Sequence, residues 1–313
     1  MPKLLDAISK QFYLDKDEVK GLIRSAPFRY KVFPIPKRKP GEYRIIAQPA
    51  REVKVLQRWL IKSIFFKNMH YHSAAAAYIP KRNIRDNAAI HVKNSFLLKM
   101  DFKDFFPSIK PKDFRAYLES INYQHFSEED IDYAINILFW RPKGKKALQL
   151  SIGAPSSPLI SNLVMLHFDQ KVDKMCKEND VRYTRYADDL TFSTNEANVL
   201  NGIYKNVQTI CRKIKNPLLA INYDKTVFAS KKHRRRVTGL ILSNDKKVSL
   251  GRDKKRNISA MIHHFTQNKL DINTIMHLRG LLAFAMDIEP DFVARMKNKY
   301  GAKIIDNISK RSF

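Results

Sequence analysis

Two adjacent carboxylates, Asp188 and Asp189, interrupt an apolar and aromatic run, VRYTRYADDLTFST, at 181–194. The run reads as two short strands around a turn at Ala187-Asp188-Asp189. Aspartate is a common turn residue, but Tyr183, Tyr186, Leu190 and Phe192 flank this turn on both sides. Two acids on a buried hairpin are costly unless something positive meets them. Oxygen ligands of this kind favour a hard divalent cation such as magnesium. A third acid has a matching setting: Asp101 ends the apolar strand FLLKM of 96–100. Two metals held by such a trio can activate an attacking oxygen and stabilise a leaving one. That chemistry serves nucleotidyl transfer and nucleases alike, and the spacing does not choose between them.

The charge of the chain suggests what such a site would act on. Lys and Arg number 58 against 30 Asp and Glu, a net charge of +28 in 313 residues. Phosphate polymers are the natural partner of so basic a protein, because binding releases their condensed counterions. The run KKHRRRVTGLILSNDKKVSLGRDKKR at 231–256 alternates basic residues with apolar clusters and reads as folded with one charged face. Hydrophobic residues at 44% suffice for a core and exclude a disordered basic tail. Two cysteines, Cys176 and Cys211, exclude a disulfide scaffold and suit a reducing cytosol. No run of eighteen apolar residues occurs, and 1–19 lacks the pattern of a signal peptide, so a cytoplasmic protein with no membrane span is expected.

Further elements follow from local signals. Residues 4–24 read as one or two short helices with Asp15 as an N-cap. Residues 29–48 read as a hairpin around Lys39-Pro40-Gly41. Helices are expected over 51–66, 111–121, 127–140, 158–178 and 199–215, with strands in 218–230 and 235–243. From 253 onward the pattern is helical, with Ile258, Met261, Ile262 and Phe265 on one stripe. Strands mixed with helices to about 240, then helices alone, predict a mixed body with a helical appendix.

Several motifs in order resemble those of reverse transcriptases: MDFKDFFPSI at 100–109, GAPSSPLISNL at 153–163, YADD at 186–189, INYDKT at 221–226 and VTGLILS at 237–243. Asn87-Ala88-Ala89-Ile90-His91 and Val237-Thr238-Gly239 narrow the resemblance to bacterial retron reverse transcriptases, over about residues 28–300. The resemblance implies an α+β right-hand polymerase. Its fingers and palm, with an antiparallel palm sheet packed on helices, would span 1–240, and a helical, RNA-binding thumb would span 241–313. It implies that Asp101, Asp188 and Asp189 hold two Mg²⁺ ions with the backbone carbonyl of Phe102. Phe106 would lie under the sugar and reject a 2′-hydroxyl, with Phe105 or Phe106 serving the core alone. Arg44 would meet the triphosphate, whose oxygens suit a guanidinium fork, and Lys225 would act as acid at the pyrophosphate. Asn87, His91, Arg234, Arg235, Arg236, Val237, Thr238 and Gly239 would contact RNA.

The implied function is RNA-directed DNA synthesis from deoxynucleoside triphosphates. The enzyme would copy part of a cognate structured noncoding RNA from a guanosine 2′-hydroxyl into branched multicopy single-stranded DNA. Host ribonuclease H would trim the template, and a separate effector (toxin) protein would link the complex to anti-phage defence. Two alternatives stand beside this: an RNA-binding scaffold that restrains an effector through a vestigial polymerase site, and a two-metal nuclease. The chain also departs from the family pattern. Ile152 stands where the family carries a glutamine before Gly153, and Gln149 lies three positions too early to replace it.

Overall fold

The computed structural model describes residues 3–37, 40–66 and 69–310. The hairpin turn expected at Lys39-Pro40-Gly41 therefore begins on a residue outside the described ones. Its arms are strands β1 (Tyr30–Pro36) and β2 (Tyr43–Pro49), paired antiparallel with Val32 opposite Ala47 and Ile35 opposite Arg44. Before them, helices Leu4–Phe12 and Lys16–Ser25 are separated by Asp15. The Asp15 carboxylate accepts from the backbone of Asp17 and Glu18 while Glu18 returns a bond to Asp15 N, a reciprocal cap. The helix expected over 51–66 runs as an α-helix over Arg51–Leu60 and continues as a π-turn over Ile61–Phe65.

The chain divides into two compact units, each assembled from separate segments. The first takes Met1–Lys81, Leu98–Phe192 and Asn198–Val227; the second takes Arg82–Leu97, Ser193–Ala197 and Phe228–Phe313. A four-stranded sheet has the order β4 (Arg182–Tyr186), β5 (Asp189–Thr194), β3 (Phe96–Asp101), β6 (Val227–Ser230). The first unit also holds helices Pro111–Ser120, Glu128–Leu138 and Val199–Lys213. The stretch 158–178 is two helices, Ser157–Val164 and Leu166–Glu178, parted at Met165. Of 218–230 only Val227–Ser230 is a strand; Tyr223–Lys225 winds as a single 3₁₀ turn.

In the second unit, a small sheet of β7 (Arg236–Val237), β8 (Leu240–Leu242) and β9 (Val248–Ser249) packs with helix Ile84–His91 and helices Arg252–Thr266, Ile272–Ile288, Pro290–Tyr300 and Ala302–Lys310. Its core joins Ala88, Val237, Leu240, Ile258, Leu282 and Ile305. Thr238 and Gly239 take φ of 45° and 85°, the paired left-handed values of a tight two-residue hairpin. The Thr238 hydroxyl donates to Ile84 O at 3.2 Å.

His91 is fully buried, with Nδ1 2.7 Å from Ser193 Oγ. Burial pushes its pKa from 6.5 down to about 3, so the folded chain keeps it neutral. The unfolded chain takes up this proton below about pH 6.5 and the folded chain does not. Stability should therefore fall as pH drops from 6.5 toward 3, by about 1.4 kcal/mol per pH unit for this one group. Urea midpoints at pH 7 and pH 5 measure the effect. His91→Gln is expected to show a shallower fall than the wild type, and an identical fall would remove His91 as a cause.

Candidate active site

Asp101 is the last residue of β3 and is 5% exposed. Its backbone carbonyl accepts from Asn222 N at 2.7 Å, and Phe102 N donates to Asp188 O at 3.1 Å. These two bonds fix the end of β3 against the β4–β5 turn on one side and the 222–225 segment on the other. The 3₁₀ turn then carries Lys225 back over the strand end, where Nζ lies 2.9 Å from both Oδ1 and Oδ2 of Asp101.

The turn between β4 and β5 is tight because Ala187 adopts a left-handed φ of 59°. Tightness places Asp188 and Asp189 beside Asp101. Burial, then the charges of Asp101 and Asp189, push the Asp188 carboxyl up to about 6. Asp189 is also raised, by burial and Asp101, with Lys99 opposing. Burial works against the Lys225 charge, but its bond and attraction to Asp101, then Asp188 and Asp189, hold its pKa above the ordinary lysine value.

Asp188 and Asp189, both raised by burial and by acidic neighbours, mark a site short of positive charge. Among the described residues no group of three acidic, histidine or cysteine side chains stands arranged as a finished metal cage; Asp101 is turned onto Lys225. The donor set of three carboxylates, with the Phe102 carbonyl at the same strand end, nevertheless fits a hard, oxygen-seeking divalent cation.

What holds the turn is a pair that the sequence reading missed. Arg185 lies inside β4 with no exposed surface, and so does Asp169 from helix Leu166–Glu178. Arg185 Nε and Nη2 grip both carboxylate oxygens at 2.7–3.1 Å. Its Nη1 donates at 3.2 Å to Asn162 Oδ1 and to Ala187 O, the carbonyl of the turn itself. Tyr183 Oη donates to Asp169 at 2.7 Å. The left-handed alanine is thus tied to a buried, fully bonded ion pair. No local pattern announces it, since the partners lie on separate elements.

The first unit also has a cavity of about 380 Å³, lined by Gln48, Lys54, Arg58, Tyr78, Phe106 and the 151–155 loop. Phe106 opens onto it, while Phe105 is 3% exposed and packs into the core against Phe102. The loop is docked on the hairpin: Ala47 N donates to Ile152 O at 2.9 Å. Gly153, at φ 124°, leaves no room for a side chain, since a Cβ there would stand 3.0 Å from Ile46 Cγ2 and 3.2 Å from Ala47 O. Ile46 shares its strand face with Arg44 and Gln48, so the docked loop meets the face that carries the exposed Arg44. Gln149 is buried and accepts from Lys110 Nζ at 3.1 Å, away from the cavity. The amide that does line the cavity is that of Gln48, which the motif comparison overlooked.

The residues expected to contact RNA are placed in the second unit. Asn87, His91, Arg235 and Val237 are buried. The Arg235 guanidinium donates to the carbonyls of Asn94, Leu242 and Ser243. Arg234 is exposed and paired with Asp253 at 2.8 Å, Arg236 is exposed, and Thr238 and Gly239 are half-buried at their turn.

Comparisons with known proteins agree with this architecture. The family model for reverse transcriptase (RNA-dependent DNA polymerase) matches residues 35–242. The chain is 45% identical over 296 residues to the retron Ec83 reverse transcriptase of Escherichia coli, covering 93% of each. It is 31% identical over 305 residues to the retron Ec86 reverse transcriptase of Escherichia coli, covering 95% of this chain and 90% of that one. Apo telomerase from Candida tropicalis shares the fold, with a TM-score of 0.52 at 12% identity over 88% of this chain and 58% of that one. With polymerase fold, ordered motifs and full-length similarity in agreement, the chain belongs to the retron reverse transcriptases and is an RNA-directed DNA polymerase.

Proposed function

We propose that the polymerase copies part of its own structured noncoding RNA, starting from a guanosine 2′-hydroxyl and leaving a DNA branch on that RNA. The observation that carries this reading is the meeting of Asp101, Asp188, Asp189 and Lys225 at adjoining strand ends. In this reading Asp101, Asp188, Asp189 and the Phe102 carbonyl hold two Mg²⁺ ions. When bound, such ions lower the pKa of the attacking hydroxyl and stabilise the pyrophosphate leaving group. Arg44 meets the triphosphate of the deoxynucleotide, and Phe106 faces its sugar. Lys225 holds a proton beside the reacting phosphate and supplies it to the departing pyrophosphate.

Fingers and palm correspond to 1–240 and the thumb to 241–313. A groove of about 570 Å³ supports an RNA partner: Arg29, Lys31, Arg51 and Lys54 line it with Phe28 and Tyr30. Cations that track a backbone, interleaved with rings that stack bases, suit a single strand. In the second unit RNA contact falls to exposed Arg234 and Arg236, with Asn87, His91, Arg235, Val237, Thr238 and Gly239 shaping the surface beneath them. Host ribonuclease H removes copied template, and a separate effector protein ties the complex to anti-phage defence. No described helix is long and apolar enough to cross a membrane.

The test is chemical. Nucleic acid recovered with the protein should contain DNA joined to RNA through a 2′–5′ linkage, released by a debranching enzyme. DNA with a free 5′ end would overturn the priming mechanism. Lys225→Gln should lower kcat by about 10²–10⁴-fold if this group gives the proton. Single-turnover rates across pH read it, since the wild-type rate should fall at high pH as Lys225 loses its proton and the variant should lack that limb.

A further inference from the structure

Tyr78 has no role in the reading so far. It closes an alanine run at 74–78 that carries no periodicity of helix or strand. Its φ is 63°, an uncommon and costly backbone for a bulky aromatic side chain. The segment ahead of it is anchored. Arg185 N donates to Ala74 O and Ala76 N to Arg185 O, both at 2.8 Å. Asn162 Nδ2 donates to Ala77 O at 2.9 Å. The same two residues, Arg185 and Asn162, brace the aspartate turn.

The strained backbone aims a ring at the site. Its centroid lies 6.5 Å from Phe106 and 6.5 Å from Tyr186, with interplanar angles of 56° and 37°. One side lines the cavity that Phe106 opens onto. Burial first, then Asp188 and Tyr186, raise the phenol pKa while Arg44 pulls it down. The hydroxyl thus stands, uncharged, in the field of both the aspartate turn and the hairpin arginine.

We propose that Tyr78 is a positioning residue for sugar selection: its ring backs Phe106 and sets how closely Phe106 approaches the 2′-carbon of the incoming nucleotide. This rests on the reading that Phe106 faces that sugar. A ring excludes an added oxygen only if it cannot tilt away. Packing against a second ring supplies the resistance, and the bonds of Arg185 and Asn162 to Ala74, Ala76 and Ala77 hold the segment that carries that half-exposed second ring.

The experiment measures kcat/KM for a deoxynucleoside and the matching ribonucleoside triphosphate on a primed RNA template with the full chain. Tyr78→Ala should lower the preference for deoxynucleotide at least about tenfold, mainly through a lower KM for the ribonucleotide. Tyr78→Phe, which keeps the ring, should restore the wild-type ratio. Tyr78→Asn also removes the ring, suits a left-handed backbone and should behave as the alanine variant does, which guards against misfolding. Phe106→Ala separates the two ideas. A ratio lost in Phe106→Ala and kept in both ring-free Tyr78 variants would overturn the role of Tyr78 alone. A ratio kept in Phe106→Ala would overturn the sugar-facing reading, and the role of Tyr78 with it.

Discussion

Asparagine in place of Asp169 strips the buried Arg185 of its counter-charge, and the folded chain is expected to lose about 3–5 kcal/mol. The size follows from the setting. Neither side chain has exposed surface, so water cannot take over the abandoned guanidinium, and three of the Arg185 bonds go to this one carboxylate. Arg185→Met leaves the reverse orphan, with only Tyr183 donating to Asp169. Combining Asp169→Leu with Arg185→Met removes both charges and should recover part of the loss, as buried pairs often do when replaced by apolar groups. Denaturant unfolding of Asp169→Leu, Arg185→Met and the double that combines them gives a coupling energy. Single variants within about 0.5 kcal/mol of the wild type would show that the turn does not depend on the pair. Activity in the recovered double variant should stay low, because Ala187 O loses its donor.

The second large effect falls on chemistry and leaves the fold intact. Asp188→Asn and Asp189→Asn are each expected to bring extension of a primed RNA template, with Mg²⁺ and deoxynucleotides, down to background. Both proteins should be at least as stable as the wild type at pH 7. The reason is that both carboxylates have raised pKa values from burial and from Asp101, so their charged forms oppose folding. Removing charge relieves that opposition. Such a trade of stability for a poised site is common in active centres. Extension that survives in either variant would take that residue out of the reaction, and a variant that unfolds would contradict the electrostatic argument.

Much of the fold was open to reading because its signals are local. Asp15 caps its helix through bonds within three residues. The apolar run to Asp101 ends where its polarity changes. The stretch 235–243, expected as a strand, instead folds back at Thr238-Gly239 into the antiparallel β7–β8 hairpin, because both residues take left-handed backbone. The supports of the site were hidden because they join distant positions. Arg185 appears as one basic residue among many in a chain of charge +28; only the tertiary fold shows that it carries no exposed surface. Tyr78 lies in a stretch without periodicity, so nothing marked its backbone as strained. Gln48 reaches the cavity because a loop a hundred residues later docks on its strand, a contact no pattern in 43–49 encodes. The Arg235 reading changes for the same cause: within a basic run it looks like its neighbours, yet it serves three carbonyls of the interior.

The interleaving of the two units bears on synthesis at the ribosome. Helix Ile84–His91 belongs to the second unit, but the strands it packs on begin roughly 150 residues later, so at 5–20 residues per second it waits about 8–30 s for them. Throughout that interval Ala88 and Val92 have none of their later-made neighbours from the second-unit core. The first unit has all its segments once Val227 emerges, well before the last helix is made. The nascent chain therefore carries this helix without its core partners for most of its synthesis, and a chaperone that recognises short apolar segments has its natural footing there.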